Sequence, residues 1–191
     1  MKDLKKHRLI LASKSPRRQY LLKELGFDFE VKTKDVDESF PENLKAYEIP
    51  LYLCRKKADA FDDELSDNTI VITADTIVWI DDQVLNKPEN FDDAVRMLKL
   101  LSGRKHEVYT GVCLKSKHKT KTFYALTNVY FKVLTQEEIE YYICNFNPYD
   151  KAGAYGAQEW IGYIAVEKIE GSYFNVMGLP VRELYEELVA F

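Results

Sequence analysis

The sequence predicts an α/β fold with a mixed central sheet flanked by helices. Three observations carry that prediction. The chain opens on a strand, a tight turn and a helix. Apolar runs of strand length then alternate with helical periodicities as far as the C-terminus. No internal repeat or low-complexity linker interrupts them, which favours layered α/β architecture over a string of modules. The 191 residues show no clean domain boundary and read as one domain, 1–191.

Leu9 to Ala12 is a short apolar run bounded by polar residues and reads as a buried strand. Ser15-Pro16 supplies an N-cap and a first helical residue, because proline's fixed φ and missing N–H suit that position. Tyr20, Leu21, Leu22 and Leu25 give the helix an apolar face, and Gly26 ends it. Phe27 to Lys32 alternates like a strand, and an acidic loop with Asp35, Asp37 and Glu38 follows. A long helix is expected over about Ala46 to Leu65, with Leu51, Cys54, Ala58 and Phe61 on one face. Ile70 to Thr73 reads as a buried strand leading through Ala74-Asp75-Thr76 into Ile77 to Ile80, with a turn at Asp81-Asp82.

Asn90 to Leu101 is amphipathic and stops at Gly103. Val108 to Lys115 and Thr122 to Leu134 are expected to pair antiparallel across a Lys/His-rich turn. Thr135 and Glu138 have the spacing of a capping box. A glycine-rich segment, Gly153 to Gly162, precedes a strand expected near Tyr163 to Ile169, and a last helix spans about Pro180 to Val189.

Composition narrows the function classes. A formal charge of −4 gives no reason to expect a nucleic-acid partner. Cys54, Cys113 and Cys144 are odd in number and lack CxxC spacing, which disfavours a disulfide framework or zinc ribbon and fits a reducing compartment. His7, His106 and His118 are isolated. No stretch approaches the ~20 apolar residues of a membrane span, and the apolar run after the basic Met1 to Arg8 is too short for a signal-peptide core. The expected location is the cytoplasm.

Local patterns point instead to phosphate chemistry. Ser13-Lys14-Ser15-Pro16-Arg17-Arg18 joins a strand end to a helix start, where unpaired N–H groups and the dipole favour an anion. Cations there oppose the dipole, and an anionic ligand would explain them. Asp75 ends an apolar run and can hold Mg²⁺ or polarise a water. The acidic loop offers a second carboxylate, whereas Asp35 reads as a solvated loop residue. Lys56, Lys57 and Lys87 can neutralise phosphate as point charges, although a single lysine is more often a surface residue. In Asp150 to Gln158, glycines permit close backbone approach and Gln158 can read a base edge. Neither a P-loop nor a dinucleotide fingerprint is present.

Taken together, Leu11 to Arg18, Arg55 to Ala58, Ala74 to Val78, Asn86 to Pro88, Leu101 to Gly103, Tyr109 to Gly111, Asp150 to Gln158 and Gly171 to Pro180 resemble the Maf family of septum-formation and nucleotide pyrophosphatase proteins. The segments occur in family order along nearly the whole chain. The resemblance implies an elongated, two-lobed fold like that of inosine triphosphate pyrophosphatases, with a cleft between the lobes. It implies hydrolysis of a nucleoside triphosphate to monophosphate and pyrophosphate with Mg²⁺ or Mn²⁺. Asp75 matches the family's proton acceptor, and a mechanism consistent with the residues and the resemblance has Asp75 and Glu38 hold the metal. In the same mechanism Ser13, Arg18, Lys57 and Lys87 are expected to bind the phosphates. Arg17, Thr76 and Gln158 match positions that separate substrate subclasses, and these identities resemble the dTTP/UTP type. The family often places Ile and Gly around the glutamine; here Ala157 and Glu159 stand there, and Glu159 either alters the base pocket or points outward. Two alternatives stand beside this reading: a broad house-cleaning pyrophosphatase for modified nucleotides, and a nucleotide-binding regulator of septation. A homodimer remains open.

Overall fold

A computed structural model describes residues 6–191, so Met1 to Lys5 of the basic N-terminal stretch lie outside the described residues. The strands are β1 (Arg8–Leu11), β2 (Phe29–Val31), β3 (Thr69–Ile80), β4 (Gln83–Leu85), β5 (Lys105–Lys115), β6 (Thr120–Phe131) and β7 (Val166–Glu170). The helices are α1 (Pro16–Glu24), α2 (Glu48–Asp59), α3 (Phe91–Leu101), α4 (Gln136–Phe146), α5 (Trp160–Ala165), α6 (Tyr173–Val176) and α7 (Val181–Ala190). Among the described residues the strands form one sheet in the order β2-β1-β3-β5-β6-β7, with β4 paired to β3 off that path. β1 is parallel to β2 and β3, whereas β4 and β7 run antiparallel to β3 and β6. β5 and β6 are joined by a turn in which Ser116 N–H donates to Lys119 O at 2.8 Å, a connection short enough only for an antiparallel pair. The sheet is therefore mixed, as expected.

Two compact units divide the chain. The first takes in the chain up to Asp75, Thr110–Ala125 and Gly178–Phe191; the second takes in Thr76–Tyr109 and Leu126–Met177. Each is assembled from separated segments, so no single cut along the sequence parts them.

In the first unit α2 lies close against the sheet. Thr73 Oγ1 donates to Cys54 O at 2.6 Å. Gly111 of β5 faces the start of the helix: a Cβ there would stand 2.5 Å from the carbonyl carbon and oxygen of Pro50 and 2.7 Å from Leu51 N. Both contacts involve helix backbone, which cannot swing aside as a side chain can. Cys54 and Cys113 pack with Ala58 as small hydrophobes. Burial pushes both thiols up, Cys113 to about 12, and all three cysteines are free.

The second unit has its own core, in which Val78, Ile80 and Leu85 of β3 and β4 meet Met97, Leu98 and Leu101 of α3. Ile139, Tyr142 and Ile143 of α4 and Ile161 and Ala165 of α5 complete it. His106 lies inside this unit, its ring edge-on to Phe131 at 4.9 Å and its Nε2 2.7 Å from Tyr155 Oη. Burial drives the imidazole pKa down to about 3.

Several elements differ from expectation. The long helix ends at Asp59, and a 3-10 turn takes up Asp62–Glu64. Asp81 and Asp82 form the tip of a hairpin whose second strand, β4, the sequence reading did not include. The strand expected near Tyr163 to Ile169 begins only at Val166. Trp160 to Ala165 is a helical turn instead, because it places Ile161 and Ala165 together in the core and leaves Tyr163 80% exposed. The capping box at Thr135 and Glu138 is present with both hydrogen bonds.

Candidate active site

Ser15 caps α1, accepting Arg18 N–H, with Pro16 in the first turn. Ser13 is buried, and its hydroxyl accepts Ser15 N–H at 3.2 Å. No acidic residue occupies the first turn of α1, so its N-terminal end carries only the cations Arg17 and Arg18. Arg18 Nε donates to Gly178 O at 2.8 Å. Burial pulls the Arg18 pKa down, while the charges of Asp75 and Glu38 pull it back up, which places this guanidinium in their field.

Lys57 is the centre of the cluster. Its Nζ is 2.6 Å from Asp75 Oδ1 and 2.8 Å from Glu38 Oε1. The side chains are 17% exposed for Lys57, 13% for Asp75 and 53% for Glu38. Two local periodicities create the meeting. Cys54 and Lys57 are three residues apart and share a face of α2. Thr73 and Asp75 are two residues apart and share a face of β3. The Thr73–Cys54 hydrogen bond and the Asp75–Lys57 ion pair are successive rungs between that helix and that strand. Asp75 uses only Oδ1; among the described residues Oδ2 has no hydrogen bond to the protein.

The neighbouring charges are structural. Asp37 accepts the hydroxyl and the backbone N–H of Ser39 and then Lys56, which together hold its carboxyl down to about 2. Lys56 is committed to Asp37 and to Ser39 O. Lys14 pairs with Asp35 on the open surface at 3.1 Å, in line with Asp35 as a solvated loop residue.

The remaining predicted residues lie in the second unit. Thr76 follows Asp75 on β3 and is half-buried. Lys87 is exposed in the loop after β4. Gln158 is half-buried and, among the described residues, makes no side-chain hydrogen bond. Gly153 N–H donates to Asn86 O at 3.1 Å, tying the segment that carries Gln158 to the one that carries Lys87.

Glu159 neither points outward nor stands free. It accepts the Tyr142 hydroxyl and pairs with Lys151. Sequence reading assigned no role to Tyr142 or Lys151. The one available signal was that Lys151 begins the Asp150 to Gln158 segment beside an acid.

A mixed α/β sheet thus brings an ammonium and two carboxylates together, with a guanidinium in their field. The profile of the Maf-like protein family matches residues 8–191. A Bacteroides thetaiotaomicron protein named dTTP/UTP pyrophosphatase is 54% identical over 187 residues, 97% of each chain. A Flavobacterium johnsoniae protein of the same name is 53% identical, covering 97% of this chain and 95% of its own. The chain belongs to the Maf family. Its structure is also partly similar to that of the Staphylococcus aureus Ham1 protein, with a TM-score of 0.48 and 15% identity over 65% of this chain and 71% of the other.

Proposed function

We propose that this chain hydrolyses dTTP and UTP to the nucleoside monophosphate and pyrophosphate. The carrying observation is the convergence of Asp75 and Glu38 on one cationic position, taken in the structure by Lys57 Nζ. The names of the two relatives, each more than half identical across nearly the whole chain, supply the substrate class.

The donor set fits a divalent cation. Mg²⁺ and Mn²⁺ are commonly held by one or two carboxylates, with phosphate oxygens and water completing the shell. Asp75 and Glu38 already share one positive charge, and Asp75 Oδ2 is spare. No group of three or more His, Cys, Asp or Glu among the described residues offers an all-protein metal cage. When bound, the ion would polarise the phosphoryl oxygens and neutralise the charge of the leaving pyrophosphate.

The chain's own residues do the rest. Asp75 accepts the proton of a water whose oxygen bonds the α-phosphorus, while the bond from that phosphorus to the bridging oxygen breaks and pyrophosphate leaves. Lys57 orients Asp75 and, with Arg18, Ser13 and Lys87, binds the phosphate oxygens. Arg17, Thr76 and Gln158 take the base-sensing role that the family resemblance gives them. No helix among the described residues is long and apolar enough to cross a membrane, and a cytoplasmic location belongs to this proposal.

The test is pyrophosphate release from canonical and modified nucleoside triphosphates with Mg²⁺ or Mn²⁺. Metal-dependent turnover of dTTP and UTP is expected, with kcat falling by about 10³-fold in Asp75→Asn. A panel dominated by modified nucleotides would move the assignment to house-cleaning. Folded protein that binds nucleotides without turnover would move it to a regulatory binder.

A further inference from the structure

The second unit contains a charged cluster that the proposed chemistry does not use. Tyr142 of α4 is completely buried. Its hydroxyl donates to Glu159 Oε2 and accepts Gly156 N–H at 3.0 Å. The other carboxylate oxygen, Glu159 Oε1, is 3.0 Å from Lys151 Nζ, which is also 2.7 Å from Asp150 Oδ1. Burial, and then the hydrogen bond to Glu159, push the Tyr142 phenol pKa well above its ordinary value, so the hydroxyl stays a donor. The side chains of Lys151 and Glu159 are 8% and 21% exposed. Charges at that depth are tolerated only when well paired, so this is a built cluster and not an incidental surface contact.

Its members grip the chain on both sides of Gln158. Gly156 and Glu159 bracket Ala157 and Gln158, and Glu159 N–H donates to Gly156 O at 3.0 Å, closing a turn. One phenol therefore holds the first residue of that turn by its N–H and the last by its carboxylate. A Cβ at Gly156 would stand 2.9 Å from Glu159 Cδ and 3.1 Å from Lys151 Cε, so the two side chains close over a bare backbone. Gln158 has no side-chain hydrogen bond of its own among the described residues.

We propose that Tyr142, Glu159 and Lys151 are positioning residues that lock the Gly156–Glu159 turn and thereby set the direction in which Gln158 presents its amide to the base. The inference rests on Gln158 being the residue that reads the pyrimidine. Selectivity that depends on a hydrogen-bonding edge requires that edge to be held before the ligand arrives.

The experiment compares kcat/KM for UTP and CTP in the full chain and its variants. Tyr142→Phe should lower the UTP/CTP ratio about tenfold, through KM for UTP, with kcat within about twofold. Gln158→Ala should lower the ratio at least as far. Adding Tyr142→Phe to Gln158→Ala should lower it no further, since both would act through one amide. Glu159→Gln retains an acceptor for Tyr142 and loses the charge facing Lys151. It should cost about threefold in the same ratio and serves if Tyr142→Phe does not fold. A collapse of the ratio in Gln158→Ala with no change in either clasp variant overturns the clasp. Additive losses in the double variant also overturn it, because the clasp would then act by another route. An unchanged ratio in Gln158→Ala overturns the base-reading assignment itself, and the clasp with it.

Discussion

Lys57 and Lys151 are both largely buried lysines held by two carboxylates, one in each unit. Lys57 lies 2.6 Å from Asp75 and 2.8 Å from Glu38; Lys151 lies 2.7 Å from Asp150 and 3.0 Å from Glu159. The distances are nearly alike, and the satisfaction of the acids is not. Glu159 uses both oxygens, one on Lys151 and one on Tyr142. Asp75 uses one oxygen, on Lys57 of α2, and among the described residues its other oxygen makes no hydrogen bond to the protein. A carboxylate with a spare oxygen can accept a proton or a cation without first breaking a bond. One with none is a fastener. Two clusters of the same composition thus separate into chemistry and architecture by hydrogen-bond accounting.

Breaking the first cluster should cost activity more than stability. Lys57→Met is expected to lower kcat/KM for dTTP by about a thousandfold, about 4 kcal/mol of transition-state stabilisation, with the fold retained by circular dichroism. Breaking the second should do the reverse. Lys151→Met leaves Glu159 without its counter-charge and should cost about 3 kcal/mol in urea unfolding, with a smaller loss of kcat. Equal stability losses in the two variants would erase the distinction.

His106 sharpens the contrast from within the second unit, where a titratable group is buried with no counter-charge. Its pKa falls from 6.5 to about 3 on folding, and burial is the cause. Above pH 6.5 both states are neutral there and stability is complete. Below that pH the unfolded chain takes up a proton that the folded one refuses, so stability falls as pH drops towards 3. The loss from this residue should be about 2 kcal/mol between roughly pH 7 and pH 5. His106→Leu should remove that slope in urea titrations at the two pH values. The smallest expected effect is at the open surface: Lys14→Ala should change unfolding stability by less than about 0.5 kcal/mol, since its pair with Asp35 is solvated.

The legibility of these regions in the sequence differed for physical reasons. Strand β1 with the Ser15-Pro16 helix start, and the Thr135–Glu138 capping box, were readable because their signals are local and chemically specific. The Trp160 to Ala165 turn was not, because aromatic and β-branched residues favour strand and only packing against the core selects the helix. Asp75, the acidic loop of Glu38 and Lys57 were legible as candidates from local pattern and from the family resemblance; nothing in their spacing shows that they touch. Glu159 looked like a departure at a base-reading segment, and its inward turn depends on Tyr142, whose hydroxyl the sequence cannot aim. Asp37, in the same acidic loop as Glu38, shows the converse: an acid beside a candidate site whose hydrogen bonds are spent on Ser39 and Lys56.

Gly111 reaches the chemistry without touching it. Lys57 lies about two turns further along α2 than Pro50, and its ammonium stands 2.6 Å from Asp75. A methyl group at position 111 would lift the near end of that helix like a wedge under a lever, and a contact this short has no slack to absorb the tilt. In a mutational survey the position would score as an active-site lesion while every group that meets the nucleotide kept its identity. A tolerance map drawn from such scores would therefore outline the seat of α2 as well as the site it serves.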